Sequence, residues 1–188
     1  MMCDKGRSED VIKMVKSCGD AARACDIIIE RYYERLYWHI RRIVVLHEDA
    51  EDVLQDTFVA IYTAFDKFRG ESEGSLVAWL YKIATNESIR ALRRRRASIF
   101  LSVDSVRHML RSDLEGEIAP EADEISIRLQ RAVVGLPMKQ KLVFNLRYYD
   151  ELPFEAIAQI TGQSVSTLKT NYPYAVKKIK EEVVQIDL

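Results

Sequence analysis

The sequence is poor in the residues that end strands and form hairpin turns. It contains 7 glycines and 4 prolines, and only one of the prolines precedes position 137. Turns between strands depend on these two residue types, so their scarcity argues against a protein built from hairpins. The clearest interior loop, at 70–74, separates two stretches with helical periodicity. We therefore predict an all-α fold.

Patterns typical of membrane spans, metal sites and active sites are also lacking. No apolar run approaches the roughly 20 residues of a membrane span, and no charged start precedes an apolar signal segment. The 3 cysteines, Cys3, Cys18 and Cys25, lack metal-ligand spacing and are typical of reduced thiols in the cytoplasm. No nucleophile with a base and no phosphate-binding glycine loop is recognisable. We expect a cytoplasmic non-enzyme with no catalytic residue, metal, cofactor or membrane insertion.

A formal net charge of −1 does not suggest a nucleic-acid partner, but the charges are unevenly distributed. Residues 90–96 contain five arginines, whereas 104–124 is acidic and has only Arg107 and Arg111 as basic residues. Local charge sets the field that a phosphate meets, so the whole-chain value decides little. The arginine cluster therefore remains a candidate for nucleic-acid binding.

Residues 48–65 have the period of a half-buried helix with an acidic outer face. Ala50, Val53, Phe58, Ile61 and Phe65 follow one apolar stripe. The side chains that cluster away from it are Asp49, Asp52, Gln55 and Asp56. Acidic residues near a helix N-terminus also complement the helix dipole, but this explains the second and third aspartates less well than the first. A solvated face and a partner-docking face both fit the pattern.

A second predicted helix, at 75–96, carries a cationic stripe. Within an arc of about 80° it places Lys82, Asn86, Arg90 and Arg93. Long cations with one amide suit contacts to phosphates and hydrogen bonds to base edges. Arginines at a helix C-terminus can also be a solvated end that the dipole favours. Four consecutive arginines, at 93–96, exceed what capping requires, which favours nucleic-acid binding.

Residues 152–178 have the layout of a helix-turn-helix. A short apolar helix stops at Gly162, and Ser164 is placed to cap a longer helix after the turn. Opposite an apolar stripe, the longer helix presents Ser166, Thr167, Thr170, Asn171, Tyr174, Lys177 and Lys178. This surface suits the major groove, although a purely structural helical hairpin would have a similar pattern.

Pro173 interrupts the longer helix. Proline cannot donate a hydrogen bond to the carbonyl of Lys169, and it is expected to kink or shorten a helix. The apolar stripe nevertheless continues on both sides of the proline, from Leu168 to Ile179. We predict that the helix persists and bends at Pro173.

In this combination and order, the motifs resemble the extracytoplasmic-function sigma factors of bacterial RNA polymerase. The resemblance covers about residues 20–186: 48–58 is similar to the core helix of the family's second region, 79–86 to its minus-ten-reading segment, and 136–178 to its fourth region. The chain departs from the family pattern at 76–78, at Asn171 and at Pro173.

The resemblance implies two small helical domains: region 2 at 1–96, a linker at 97–122 and the region 4 helix-turn-helix at 123–188. It implies that the chain binds RNA polymerase core, directs it to promoter DNA for transcription initiation, and has an anti-sigma factor as a partner. The implied polymerase-binding residues are Asp49, Asp52, Gln55 and Asp56. The implied DNA-binding residues are Arg69, Lys82, Asn86, Arg90, Arg93, Arg94, Ser166, Thr167, Lys169, Thr170, Asn171, Tyr174, Lys177 and Lys178.

Two alternatives fit parts of the sequence. A helix-turn-helix regulator that acts without polymerase would bind DNA tightly by itself and would leave the acidic helix without a role. A sigma-like decoy would sequester an anti-sigma factor and support no transcription. Transcription in vitro with and without core polymerase separates all three.

Overall fold

The computed structural model describes residues 8–17, 20–98 and 124–184. Within these ranges every regular element is helical, and no strand occurs. The prediction of an all-α fold is confirmed. Most of the predicted linker, from 99 to 122, lies outside the described residues.

The N-terminal module, residues 8–98, has four α-helices and one short 3-10 helix. They are α1 (Ser8–Ser17), α2 (Ala21–Val44), α3 (His47–Ala64), the 3-10 helix Phe65–Lys67, and α4 (Glu73–Ser98). Asp20 starts α2 by accepting a hydrogen bond from the backbone N–H of Ala22 at 3.0 Å. Helix α4 ends at Ser98, two residues beyond the boundary predicted for the first domain.

The C-terminal module, residues 124–184, also has four helices. They are α5 (Glu124–Gly135), α6 (Met138–Tyr148), α7 (Phe154–Thr161) and α8 (Val165–Val184). Gly162 ends α7 with a left-handed φ of 70°, a conformation that glycine adopts without steric cost. The Ser164 hydroxyl then accepts a hydrogen bond from the Thr167 N–H at 3.1 Å. The predicted layout of helix, turn and capped longer helix is confirmed.

The long helices of the N-terminal module enclose its core. Ile28, Leu36 and Ile40 of α2 are fully buried, as are Leu76 and Leu80 of α4. Burial of a large aliphatic side chain contributes about 1.5–3 kcal/mol to folding, so this seam is a main source of the module's stability.

The C-terminal module has a cluster of its own and also packs against the N-terminal module. The buried members of its own cluster are Ala132, Val133, Leu136, Phe144, Ala175 and Ile179. Three other apolar side chains, Leu146, Ile157 and Ile160, belong to the same buried cluster as the core of α2 and α4. Helix α7 contacts α4, and α6 contacts α2. The two modules therefore meet through an apolar interface.

Helix α8 continues through Pro173, as predicted from the apolar residues on either side. Leu168 and Ala175 are fully buried, whereas Pro173 is exposed. Packing on one face thus keeps the segment helical although the proline removes one backbone hydrogen bond. The expected bend at this residue stays a prediction.

Replacement of Pro173 by alanine is expected to raise the free energy of unfolding of the full chain by about 1–3 kcal/mol. The reason is that an interior proline costs about 3 kcal/mol relative to alanine, of which a bend relieves a part. Urea unfolding followed by circular dichroism measures the change. Lys180→Ala, at another exposed position of α8, is the control and should stay within about 0.5 kcal/mol. A less stable P173A variant would mean that the proline is needed for packing.

Candidate polymerase-binding and nucleic-acid-binding faces

Helix α4 separates its buried and its cationic residues as its period predicts. Leu76, Leu80 and Ala84 are fully buried. The members of the cationic stripe, which are Lys82, Asn86, Arg90 and Arg93, are all exposed. Arg90 donates to the Glu87 carboxylate at 2.9 Å, which satisfies part of its charge. The other three members have no side-chain hydrogen bond or ion pair within the described ranges, so their polar groups face solvent.

Two serines and one glycine shape the loop that leads into α4. The Ser75 N–H donates to the Ser72 hydroxyl at 3.2 Å, and the Ser72 N–H donates to the Ser75 hydroxyl at 3.1 Å. This reciprocal arrangement satisfies backbone donors at the start of the helix. A Cβ atom on Gly70 would collide with the Ser75 hydroxyl and with the ring of Phe68, so a larger residue there would force these two side chains to shift.

Arg69 and Trp79 lie beside this loop. The Arg69 guanidinium is exposed and donates to the backbone carbonyls of Asp66 and Phe68. The half-buried Trp79 ring lies 4.9 Å from the Phe68 ring, between centroids. The loop is therefore held against the side of α4 that borders the cationic stripe.

Helix α3 buries a slightly different set of residues from the one predicted. Ala50, Val53 and Ile61 are buried as expected, while Leu54 and Thr57 are buried in place of Phe58 and Phe65, which are only partly covered. The buried Thr57 hydroxyl has a hydrogen-bond partner, because it donates to the backbone carbonyl of Val53 at 2.7 Å. Of the acidic-face residues, Asp52, Gln55 and Asp56 are exposed and Asp49 is half-buried.

Two exposed apolar side chains extend the acidic face, and the sequence analysis missed them. Val59 is 66% exposed and Tyr62 is 54% exposed. Val59 follows Asp52 by seven residues and Gln55 by four, so the three share one stripe of the helix. The signal in the sequence was this spacing, which continues past the last acidic residue. A face that combines acids with solvent-exposed apolar groups is more typical of a protein-binding surface than of a surface that contacts only water.

Two ion pairs join the acidic face to the arginine run. Arg94 pairs with Asp56 at 3.1 Å, and Arg95 pairs with Asp49 at 2.5 Å. Arg94 was predicted to bind DNA with the cationic stripe, but its side chain turns toward α3. Among the described residues Asp52 has no such partner, so it is the acid of this face whose charge is least compensated.

Helix α8 presents most of its predicted polar residues to solvent. The exposed members are Ser166, Thr167, Lys169, Thr170, Tyr174, Lys177 and Lys178. Lys177 lies 3.8 Å from Glu181, a long ion pair between exposed groups. The Tyr174 ring is 58% exposed.

Asn171 differs from the other predicted residues of α8. It is half-buried, and its side-chain amide donates to the Gln163 side-chain oxygen at 3.2 Å. Ser164 contacts the hydroxyls of Ser166 and Thr167 at 2.9 and 2.8 Å. These contacts fix the turn against the first turn of α8, so the small hydroxyl groups are held in place at the start of the helix.

Comparison with known proteins assigns both modules. Sigma-70 region 2 matches residues 28–98, and Sigma-70 region 4 matches residues 126–179. The ECF RNA polymerase sigma factor SigW of Bacillus subtilis is 30% identical over 167 residues, which cover 85% of this chain and 87% of SigW. The chain belongs to the extracytoplasmic-function sigma factors. The sigma-E factor of Haemophilus influenzae is 28% identical to this sigma factor over 169 residues, covering 86% and 88% of the two chains.

Solved structures share the fold of this sigma factor. RpoE from Bartonella quintana, in complex with the anti-sigma factor NepR, superposes with a TM-score of 0.64 at 21% identity and covers 85% of this chain and 96% of its own. CnrH, in complex with the cytosolic domain of CnrY, gives a TM-score of 0.63 at 21% identity and covers 92% and 94%. At this identity the likeness supports the fold alone.

Metal-binding groups and membrane helices are not found in the described part of this sigma factor. No group of three or more His, Cys, Asp or Glu side chains there is placed to hold a metal ion. No helix in the described ranges is long and apolar enough to cross a bilayer. Cys25 is a free, buried thiol, and burial raises its pKa, with a smaller contribution from the charge of Asp26.

The two ion pairs between α3 and α4 are expected to differ in their effect on stability. Asp49→Asn should lower the free energy of unfolding by about 1 kcal/mol, because the Arg95 side chain is only 22% exposed. Asp56→Asn is the matched control and should change it by less than about 0.5 kcal/mol, because both partners are largely exposed. Urea unfolding at low salt measures both changes. Equal losses would contradict the ranking by burial.

Proposed function

We propose that three separate faces of this sigma factor carry out promoter-specific initiation. The acidic face of α3 binds RNA polymerase core, the cationic stripe of α4 and the preceding loop at 69–72 bind the minus-ten element, and α8 binds the minus-thirty-five element. The observation that carries the proposal is the separation of charge on one module. Helix α3 exposes an unpaired acid beside apolar groups, and the neighbouring helix exposes unpaired Lys82 and Arg93.

The polymerase-binding role of α3 is supported by the chemistry of its exposed side chains. Asp52 and Gln55 offer charge and hydrogen bonding, and Val59 offers an apolar contact on the same stripe. Partner surfaces commonly combine an apolar centre with a polar rim, and complementary charge speeds association. The expected partner surface is basic at its rim and apolar at its centre.

The DNA-binding role of α4 is supported by the mixture of side chains in its stripe. Lys82 and Arg93 are exposed cations, which suit phosphate contacts and carry no sequence information. Asn86 lies between them, and an amide can donate to and accept from one base edge. We infer that the cations set affinity while Asn86 contributes to the choice of sequence.

The DNA-binding role of α8 is supported by its place as the second helix of the helix-turn-helix. In such motifs the N-terminal residues of the second helix contact base edges. Here those positions are Ser166, Thr167 and Thr170, with Lys169 beside them. We assign Asn171 a weaker role than its neighbours, because its amide is occupied by Gln163.

We further propose that this sigma factor acts in the cytoplasm, performs no covalent chemistry, and has an anti-sigma factor as a partner. RpoE from Bartonella quintana was solved with an anti-sigma factor, which supports the last point. The experiment that tests the function as a whole is transcription in vitro on genomic fragments, with core polymerase in the presence and absence of this chain. Run-off products that require both core polymerase and this chain would support the proposed function. The absence of run-off products when core polymerase and this chain are combined would contradict it.

Charge reversal at Asp52 is expected to weaken binding to RNA polymerase core roughly tenfold or more, because it places like charges together at the interface. Glu34→Lys is the matched control, since Glu34 is also exposed and makes the same charge change on α2, away from this face. Affinity for core is measured at moderate salt. Equal losses for D52K and E34K would show that net charge, and not this face, governs binding.

Replacement of Arg93 by alanine is expected to weaken binding of holoenzyme to all promoters and to reduce the salt slope by about one unit per lost phosphate contact. Asn86→Ala should instead change which minus-ten sequences are preferred. Arg31→Ala, at an exposed position of α2, removes the same charge away from the stripe and should change neither. Binding is measured over a series of salt concentrations. An altered sequence preference for R93A with an unchanged salt slope would reverse the two roles.

A further inference from the structure

The interface between the two modules has a carboxylate at its centre. Asp150 lies between α6 and α7, and its side chain is only 4% exposed. Its oxygens meet the His39 Nδ1 atom at 2.9 Å, the Arg42 Nη2 atom at 2.6 Å and the Tyr81 hydroxyl at 3.5 Å. All three partners belong to the N-terminal module. A single acid of one module thus occupies a polar socket of the other.

The socket, which consists of His39, Arg42, Tyr81 and Thr85, is held in place by its own contacts. The second ring nitrogen of the fully buried His39 lies 2.9 Å from the Thr85 hydroxyl. Burial raises the pKa of Tyr81 to about 12, and the nearby charge of Asp150 acts in the same direction. The phenol therefore keeps its proton and can donate to the carboxylate.

The C-terminal module presents Asp150 on a constrained loop. The Asp150 N–H donates to the Asn145 carbonyl at 3.2 Å, and the Leu152 N–H donates to the Leu146 carbonyl at 3.0 Å. Between them Glu151 adopts a φ of 54°, a conformation that side-chain-bearing residues rarely accept. The loop therefore fixes the direction of the carboxylate, and it does so at the expense of local backbone strain.

The ion pair in this interface affects both the way in which the two modules dock and the ease with which they part. Apolar side chains such as Leu146, Ile157 and Ile160 surround it in one cluster with α2 and α4. Buried ion pairs add little stability compared with apolar packing, but loss of one partner is strongly destabilising. The socket therefore specifies one docked arrangement. When the modules part, its charged groups regain water, which lowers the cost of separation.

The docked arrangement is too small to reach both promoter elements. Elements centred at minus ten and minus thirty-five are about 25 base pairs apart, or roughly 85 Å along the duplex at 3.4 Å per step. A compact chain of this length has a radius of gyration of about 16 Å and thus a diameter of roughly 40 Å. The 25 residues between Ser98 and Glu124 can extend to roughly 80 Å. The chain can therefore span both elements only with its modules apart.

We propose that Asp150 and its socket form a latch that holds the free sigma factor closed and that must open before core polymerase and both promoter elements are engaged together. The latch regulates the proposed function, so this inference rests on that function. Only open molecules can bind core in the extended arrangement. The apparent affinity for core is therefore the intrinsic affinity multiplied by the fraction of molecules that are open.

The test uses the full chain and two independent measurements. Small-angle X-ray scattering of the free protein reports whether the modules are docked, and titration with core polymerase reports apparent affinity. The variants are Asp150→Asn and Arg42→Gln, which remove opposite sides of the same ion pair. Glu151→Gln is the matched control, because it makes the same chemical change at an exposed position of the same loop.

Loss of either partner is expected to shift the closed-to-open equilibrium about a hundredfold toward the open form. D150N and R42Q should therefore have a larger radius of gyration than wild type and bind core more tightly, with helicity retained. E151Q should match wild type in both measurements. The double variant should open no further than either single one, because the two side chains act as one contact.

Several outcomes would overturn the latch. These are an extended wild-type chain, folded D150N and R42Q variants that stay compact, or open variants that bind core no more tightly than wild type. Loss of helicity in both variants would also overturn it, since the cluster would then belong to an obligatory core. If neither wild type nor any variant binds core, the proposed function fails, while the scattering comparison still decides whether the docked state depends on Asp150.

Discussion

Both candidate faces of the N-terminal module depend on α4, which packs against several neighbouring helices at once. One side of the helix packs Leu76 and Leu80 into the core of the N-terminal module, and another meets α7. Its last turns pair with the acids of α3, and only the remaining arc is exposed. A helix completes a turn in 3.6 residues, so these demands compete for few positions. The cationic stripe is narrow because the rest of the circumference is already occupied.

The arrangement of charge explains how a chain with a net charge of −1 can bind a polyanion. The acids of α3 compensate Arg94 and Arg95, whose side chains turn toward α3, and leave Lys82 and Arg93 uncompensated. The field that a phosphate meets is set by these local residues and is screened beyond about 10 Å. The same pairs reduce the charge at Asp49 and Asp56. Asp52 is therefore the acid with the least compensated charge on the face that we propose for polymerase binding.

Local features of this protein could be predicted from its sequence, because each depends on residues within one or two helical turns. Gly162 marked the end of α7, and Ser164 marked the start of α8. The period of α4 assigned Leu80 to the buried side and Lys82 to the exposed side. Contacts between distant residues left no such signal. His39 and Asp150 are 111 positions apart, and nothing in the spacing of either indicated the other. The direction of Arg94 also depends on how α3 packs, which periodicity alone does not determine.

The contrast between the two interfaces of the C-terminal module bears on how it moves. The cluster that includes Phe144, Ala175 and Ile179 consists of apolar side chains, so separation there would expose hydrocarbon without compensation. The contact with the N-terminal module surrounds a carboxylate, a guanidinium and an imidazole, each of which water solvates well. Opening the interface between the two modules therefore lets these polar groups regain their hydration. Opening the C-terminal module's own core would bring no such gain. A domain motion that keeps both helix-turn-helix helices intact is the least costly way for this chain to extend.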